Sequence, residues 1–229
     1  MNMADAIIER PYPIDVDGVR LYIYPPTLGK TIILDRHIAA VGFDLKSAKE
    51  NPYKEALRAC SESRDAVSGI IALHTCKNKE EIMDEAFVKA RAKQISDAAS
   101  EEDLATLLVL VMTRFSPEPF IKHLGLDKEH QDMQRVQKCK SNKNTYTFGG
   151  KSMYGTIIDY LCERYGWTFE YVVWGVSYTN IKMLMEDSIQ HIFLTDEEQK
   201  RCHVMKREGD IISGDDPESI NRLAEILKE

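Results

Sequence analysis

Both tryptophans of the chain, Trp167 and Trp174, lie in the short run from Gly166 to Tyr178 that also carries Phe169, Tyr171 and Tyr178. Rings of this size are either packed into a core or held ready for a partner, so the segment constrains whatever fold contains it. Its punctuation is helical. Gly166 and Gly175 are stops, Thr168 and Ser177 are N-caps, and Trp167 sits ahead of its cap where it can staple onto Val172. Met153, Tyr154, Ile157, Ile158, Leu161 and Cys162 recur at helical spacing before the segment. Ile181, Leu184, Met185, Ile189 and Ile192 do so after it. A short aromatic helix between two longer amphipathic ones is therefore expected.

The same punctuation runs through most of the chain. Leu28 to Val41 reads as a helix ending at Gly42, and Asn51-Pro52 opens another, with a break expected between Ser61 and Asp65. Asn78 and Glu81 suggest a capping box opening a helix to about Ile95. Ser100 precedes three acids in a first turn, followed by LATLLVLVM, which is apolar nearly all round and is expected to be the central buried helix. Ser116-Pro117 starts a short helix that Gly125 closes. Thr195 with Glu198, and Asp216-Pro217 ahead of Ile220, Leu223, Ala224 and Leu227, open two last helices. The β signal is confined to Pro13–Tyr24, where alternating residues flank Asp17-Gly18, a dipeptide suited to a tight hairpin turn. The fold class expected is mainly α, a multi-helix domain with a small N-terminal β-hairpin. The expected organisation is a hairpin plus helical domain over 1–130, a basic linker over 131–150 and a C-terminal helical subdomain over 151–229.

Charge and motifs narrow the function. A net charge of −7 argues against a general nucleic-acid binder. The opening MNMADAIIERPYP lacks the basic and apolar regions of a secretory signal. The longest apolar run, Leu104 to Met112, falls well short of the roughly 20 residues that span a bilayer. A cytoplasmic protein with no membrane partner is expected. The five cysteines form no CxxC pair and read as free thiols. His74, Cys76, Cys202 and His203 lack the repeated close spacing of structural zinc sites, so no metal is expected. Leu28-Gly29-Lys30-Thr31 ends like a P-loop, but Tyr24 stands where the first glycine belongs and Pro25-Pro26 remove backbone donors. A helix start is expected there. HExxH, GxSxG and GxGxxG are absent, and no cofactor and no enzyme are expected.

One stretch departs from the acidic balance. Arg135, Lys138, Lys140, Lys143 and Lys151 occur with no acid between Met133 and Ile158. With Tyr146 and Phe148 nearby, they could track a phosphate backbone, which gives an alternative reading as a nucleic-acid-associated regulatory protein. The plainer reading is a solvated linker, open to proteolysis near 137–148.

Tyr154 to Asp187, YGTIIDYLCERYGWTFEYVVWGVSYTNIKMLMED, resembles the C-terminal region of phage tail assembly chaperones of Bacteroides-type prophages. The shared pattern is a helix, Gly-Trp-Thr, an aromatic-rich helix, and a polar turn into a helix ending in Met and Leu. YIYPPTLGKTIILDRHIAAV is similar to the family's opening. The resemblance implies a non-enzymatic chaperone that binds the helical tape-measure protein of the tail and recruits tail-tube subunits, with an oligomer possible. The partner-binding residues it implies are Trp167, Tyr171, Trp174 and Tyr178. The two tryptophans, at helix junctions, read as core anchors before partner contacts, which leaves Tyr171 and Tyr178 as the better partner contacts.

Overall fold

The Asp17-Gly18 turn takes positive φ at both residues, 50° and 74°, as a two-residue hairpin requires. The computed structural model describes residues 3–140 and 149–202. In it the turn joins strand β1 (Tyr12–Val16) to β2 (Val19–Ile23), antiparallel, with Ile14 opposite Leu21. Ile14, Val16, Leu21 and Ile23 are buried, whereas Val19, beside the turn, is 41% exposed. A short helix α1 (Met3–Ile7), which the sequence did not announce, precedes the hairpin.

The rest is helical: α2 (Leu28–Val41), α3 (Leu45–Glu50), α4 (Pro52–Thr75), α5 (Lys79–Met83), α6 (Glu85–Ala98), α7 (Glu101–Thr113), α8 (Glu118–Leu124), α9 (Leu126–Cys139), α10 (Met153–Tyr165), a π-helical turn (Tyr171–Gly175), α11 (Tyr178–Glu186) and α12 (Asp196–Cys202). The fold is thus mainly α with a small N-terminal β-hairpin. Caps set the boundaries: the side chains of Thr27, Asn51, Ser100, Ser152 and Ser177 each accept a backbone N–H in the first turn that follows. The break expected in α4 is a kink at Ser63. The helix expected from Asn78 to Ile95 is two helices, because Asp84 accepts the N–H of Phe87 at 3.0 Å and restarts the chain as α6.

Of the described residues, 3–127 and 149–189 form one unit, and 128–140 with 190–202 a second. The first unit holds two hydrophobic clusters. One gathers Ile14, Val16, Leu21 and Ile23 of the hairpin with Leu34 and Val41 of α2 and the inner faces of α4, α6 and α7. The other joins Leu28 of α2 to Ile157, Leu161, Val172, Val176 and Ile181. Helix α2 is the shared wall, presenting Leu28 to one cluster and Leu34 to the other. Helix α10, the π-helical turn and α11 therefore pack on the N-terminal part of the chain. The Tyr154 hydroxyl donates to Asp35 of α2 and the Thr179 hydroxyl to the Phe115 carbonyl.

The centre of the larger cluster is the second half of α4 rather than α7. Val67, Ser68 and Ile70 through Cys76 are all buried, whereas Met112 of α7 is 43% exposed. Sequence apolarity pointed to α7, and the polar residues Ser68, His74 and Thr75 disguised α4. In the second unit, Thr195 and Glu198 form the reciprocal capping box expected of them, at 3.3 and 3.0 Å. The stretch read as a basic linker is helical as far as Cys139, with Met133, Val136 and Cys139 half-buried along one side. The helix expected from Asp216 lies outside the described residues. Among the described residues, no single helix is long and apolar enough to cross a membrane.

Candidate partner-binding surface

Helix α11 has two apolar sides. Ile181 is fully buried in the second cluster, with Tyr178 and Met185 beside it. Asn180, Met183, Leu184 and Asp187 recur at the i, i+3, i+4, i+7 spacing of one helix face and line an open groove of about 490 Å³. Ile7, Leu124 and Leu126 form its other apolar wall, and Arg164, Tyr165 and Ile189 its rim. Ile7 is 56% exposed, Leu124 45% and Ile189 76%, so the groove is not closed by the unit's own packing. Grooves of this kind accept the apolar face of an amphipathic helix.

The groove is braced by a segment the sequence did not mark. Glu9 sits at a φ of 55°, and its carboxylate accepts the Ser177 N–H at 2.6 Å and the Asn180 amide at 3.0 Å. Asn180 also donates to the Ile7 carbonyl at 3.1 Å. These bonds hold α1 against the start of α11 and so position Ile7 on the groove wall.

From the rim an aromatic ladder leads outward. Tyr165 stacks on Trp167 at 5.0 Å between centroids, and Trp167 meets Tyr171 edge-on at 5.1 Å. Tyr171 is 46% exposed and neighbouring Phe169 63%. The π-helical winding of Tyr171–Gly175 brings the Tyr171 ring over Gly175, where a Cβ would lie 2.3 Å from it. Of the four residues singled out in sequence, the structure brings Trp167 and Tyr171 together on this ladder and places the other two elsewhere. Trp174 lies face-on to helix α2, where a Cβ on Gly29 would come within 2.7 Å of the indole, and the Lys79 ammonium sits 5.7 Å from its ring. Lys79 is in turn paired with Glu170 at 2.7 Å. Tyr178 packs on the second cluster, its backbone N–H donating to the Pro26 carbonyl at 2.7 Å. Ile7, Leu124, Tyr165 and Met183 carry no sequence signal of a groove, and Leu184, grouped in the sequence with the inner face of Ile181 and Met185, lines the groove instead.

Behind α2 is a buried polar cluster. Lys30, in the P-loop-like run, starts a helix as expected, and its ammonium donates to the Cys76 carbonyl at the end of α4, at 2.7 Å. It thereby satisfies a C-terminal carbonyl with a charge of the sign that end favours. Burial lowers the Lys30 pKa to about 8. Burial, with Lys30 nearby, lowers that of His74 to about 3, and His74 Nδ1 has no hydrogen-bond partner among the described residues.

The basic residues of the alternative reading are spread out. Arg135, Lys138 and Lys140 are exposed on or just beyond α9, and Arg135 is paired with Asp132 at 3.2 Å. Lys151 is exposed ahead of α10. Lys143 lies outside the described residues. Among the described residues, no group of three His, Cys, Asp or Glu side chains is placed to hold a metal ion. Compared with known proteins, the chain matches no family model, no curated protein and no solved structure.

Proposed function

We propose that this protein is a non-enzymatic assembly chaperone or adaptor of a prophage or related mobile element. In this reading it binds an amphipathic helix of a long tail protein, and the resemblance of Tyr154 to Asp187 makes that protein the tape measure, with a tail-tube subunit as second partner. The observation that carries the reading is the apolar groove between α1, α8 and α11, continuous through Tyr165 with the Trp167–Tyr171 ladder. Met183 and Leu184 supply the adaptable apolar floor that helix-binding surfaces use, and Arg164 and Asp187 supply polar ends. Tyr171 and Phe169 extend the contact beyond the groove, while Trp174 and Tyr178 hold the surface in shape from behind.

The test is co-purification with a co-expressed tape-measure protein. Met183→Asp and Tyr171→Ala are expected to keep the wild-type helical signal and melting temperature, yet to weaken binding by roughly tenfold or more, as loss of an interface anchor does. Binding unchanged in both variants would remove the groove and ladder from the account. Retention that instead collapses with salt and with neutralisation of Lys138 and Lys140 would favour nucleic-acid binding through α9.

A further inference from the structure

The second unit is built from two stretches of chain far apart in sequence, and its two cysteines come one from each. Cys202 ends α12 and is buried, with its thiol directed at the Val136 carbonyl on the last turn of α9, at 3.9 Å. Cys139 lies one turn beyond Val136 on the same half-buried side of α9, close enough for its thiol to oppose ionisation of Cys202. A disulfide needs two sulfurs brought face to face by the backbone, and here the end of α12 sets Cys202 against the α9 turn that carries Cys139. Cys60 and Cys76, by contrast, are enclosed in the first unit's core, the latter donating to the Ala72 carbonyl at 3.4 Å.

We infer that Cys139 and Cys202 are a thiol pair that a small-molecule disulfide such as oxidised glutathione converts to an intrachain disulfide, stapling the two halves of the second unit. The half-exposed Cys139 meets the oxidant. Its thiolate attacks one sulfur of the small disulfide, forming a mixed disulfide and expelling one thiolate, which takes up a proton. Cys202 then gives its proton to solvent and attacks the Cys139 sulfur. The protein S–S bond forms, the mixed bond breaks, and a second small thiol leaves. Two protein thiols lose two electrons in total, and one small disulfide becomes two thiols. Burial, reinforced by the neighbouring Cys139 thiol, pushes the Cys202 pKa up. Cys202 is therefore the resolving thiol rather than the attacking one.

The full chain is equilibrated with excess oxidised glutathione, quenched by acid, and its thiols counted after denaturation. The expected result is a fall from the five cysteine thiols to three, with a Cys139–Cys202 cross-linked peptide in the digest. In Cys202→Ser the cross-link is lost and a glutathione adduct stays on Cys139. In Cys139→Ser neither product forms. Five free thiols in the wild type, an unresolved adduct on wild-type Cys139, or the same thiol loss in both serine variants would each overturn the inference. Circular dichroism of both variants checks that the fold is intact.

Discussion

Acidification from about pH 7 to about pH 5 is expected to cost the fold about 2 kcal/mol through one side chain, His74. The imidazole is buried at the end of α4 beside the Lys30 ammonium, and its pKa is lowered from 6.5 to about 3. Below 6.5 the unfolded chain takes up a proton at this ring and the folded chain does not. The stability is therefore fully present above that value and is lost as pH falls toward 3, by about 1.4 kcal/mol per pH unit. The carboxylates of Asp44, Glu55 and Asp103 are held below their usual range, chiefly by hydrogen bonds from Ser47, Arg58 and Ser100 respectively. They surrender their contributions only below about pH 4, which leaves the window above it to His74. Urea unfolding of the wild type and of His74→Leu at the two pH values measures the effect. The leucine variant removes the ring and its unpartnered Nδ1, so its stability is expected to change by less than about 0.5 kcal/mol between the two conditions. If the variant lost as much as the wild type, the acid sensitivity would not come from His74 and the reasoning would fail.

Lys30 has the opposite end of the pH scale. Its pKa is lowered from 10.5 to about 8, so between those values the unfolded chain holds the proton more tightly. Its own contribution should rise through that window by up to about 3 kcal/mol, against the opposing pull of the Cys60 and Cys76 thiols, whose pKa burial raises. The stability of the wild type relative to Lys30→Met should therefore climb in urea titrations at pH 8 and above. Gly29→Ala should cost about 1–3 kcal/mol, because its Cβ would stand 2.7 Å from the Trp174 indole, and should alter tryptophan fluorescence. Gly69→Ala, in α4 with nothing within 4 Å of the added Cβ, should instead stabilise by up to about 1 kcal/mol, which thermal melts will show. Ser100→Ala should lose about 1 kcal/mol, since Ser100 and Asp103 cap each other reciprocally at the start of α7.

Local chemistry was legible in the sequence wherever a boundary depends on a few adjacent residues. Asp17-Gly18, Asn51-Pro52, Gly42, Gly125 and Gly166 mark turns, caps and stops that the backbone adopts. What needed three dimensions was anything set by a neighbour distant in the chain. Nothing in Glu9 announces that it will clamp Ser177 and Asn180, and Ile7 becomes a groove residue only through that clamp. Gly29 resembled part of a phosphate loop, yet its missing side chain makes room for Trp174. Composition also misled about the centre. The run Leu104–Met112 looked the most buried, but α4 is packed on more sides, and its Ser68, His74 and Thr75 are enclosed despite their polarity. For the candidate surface, the sequence marked Trp167 and Tyr171, and the groove beside them emerged only when α1, α8 and α11 came together.

Isolation of the tagged protein from its native host after prophage induction, with bound proteins identified by mass spectrometry, tests the central claim most directly. The account predicts recovery of a very long helical tail protein, or of a tail-tube subunit with it, and loss of that partner when the bait carries Met183→Asp. Recovery of nuclease-sensitive nucleic acid with neither tail protein, or equal recovery by the variant bait, would contradict it.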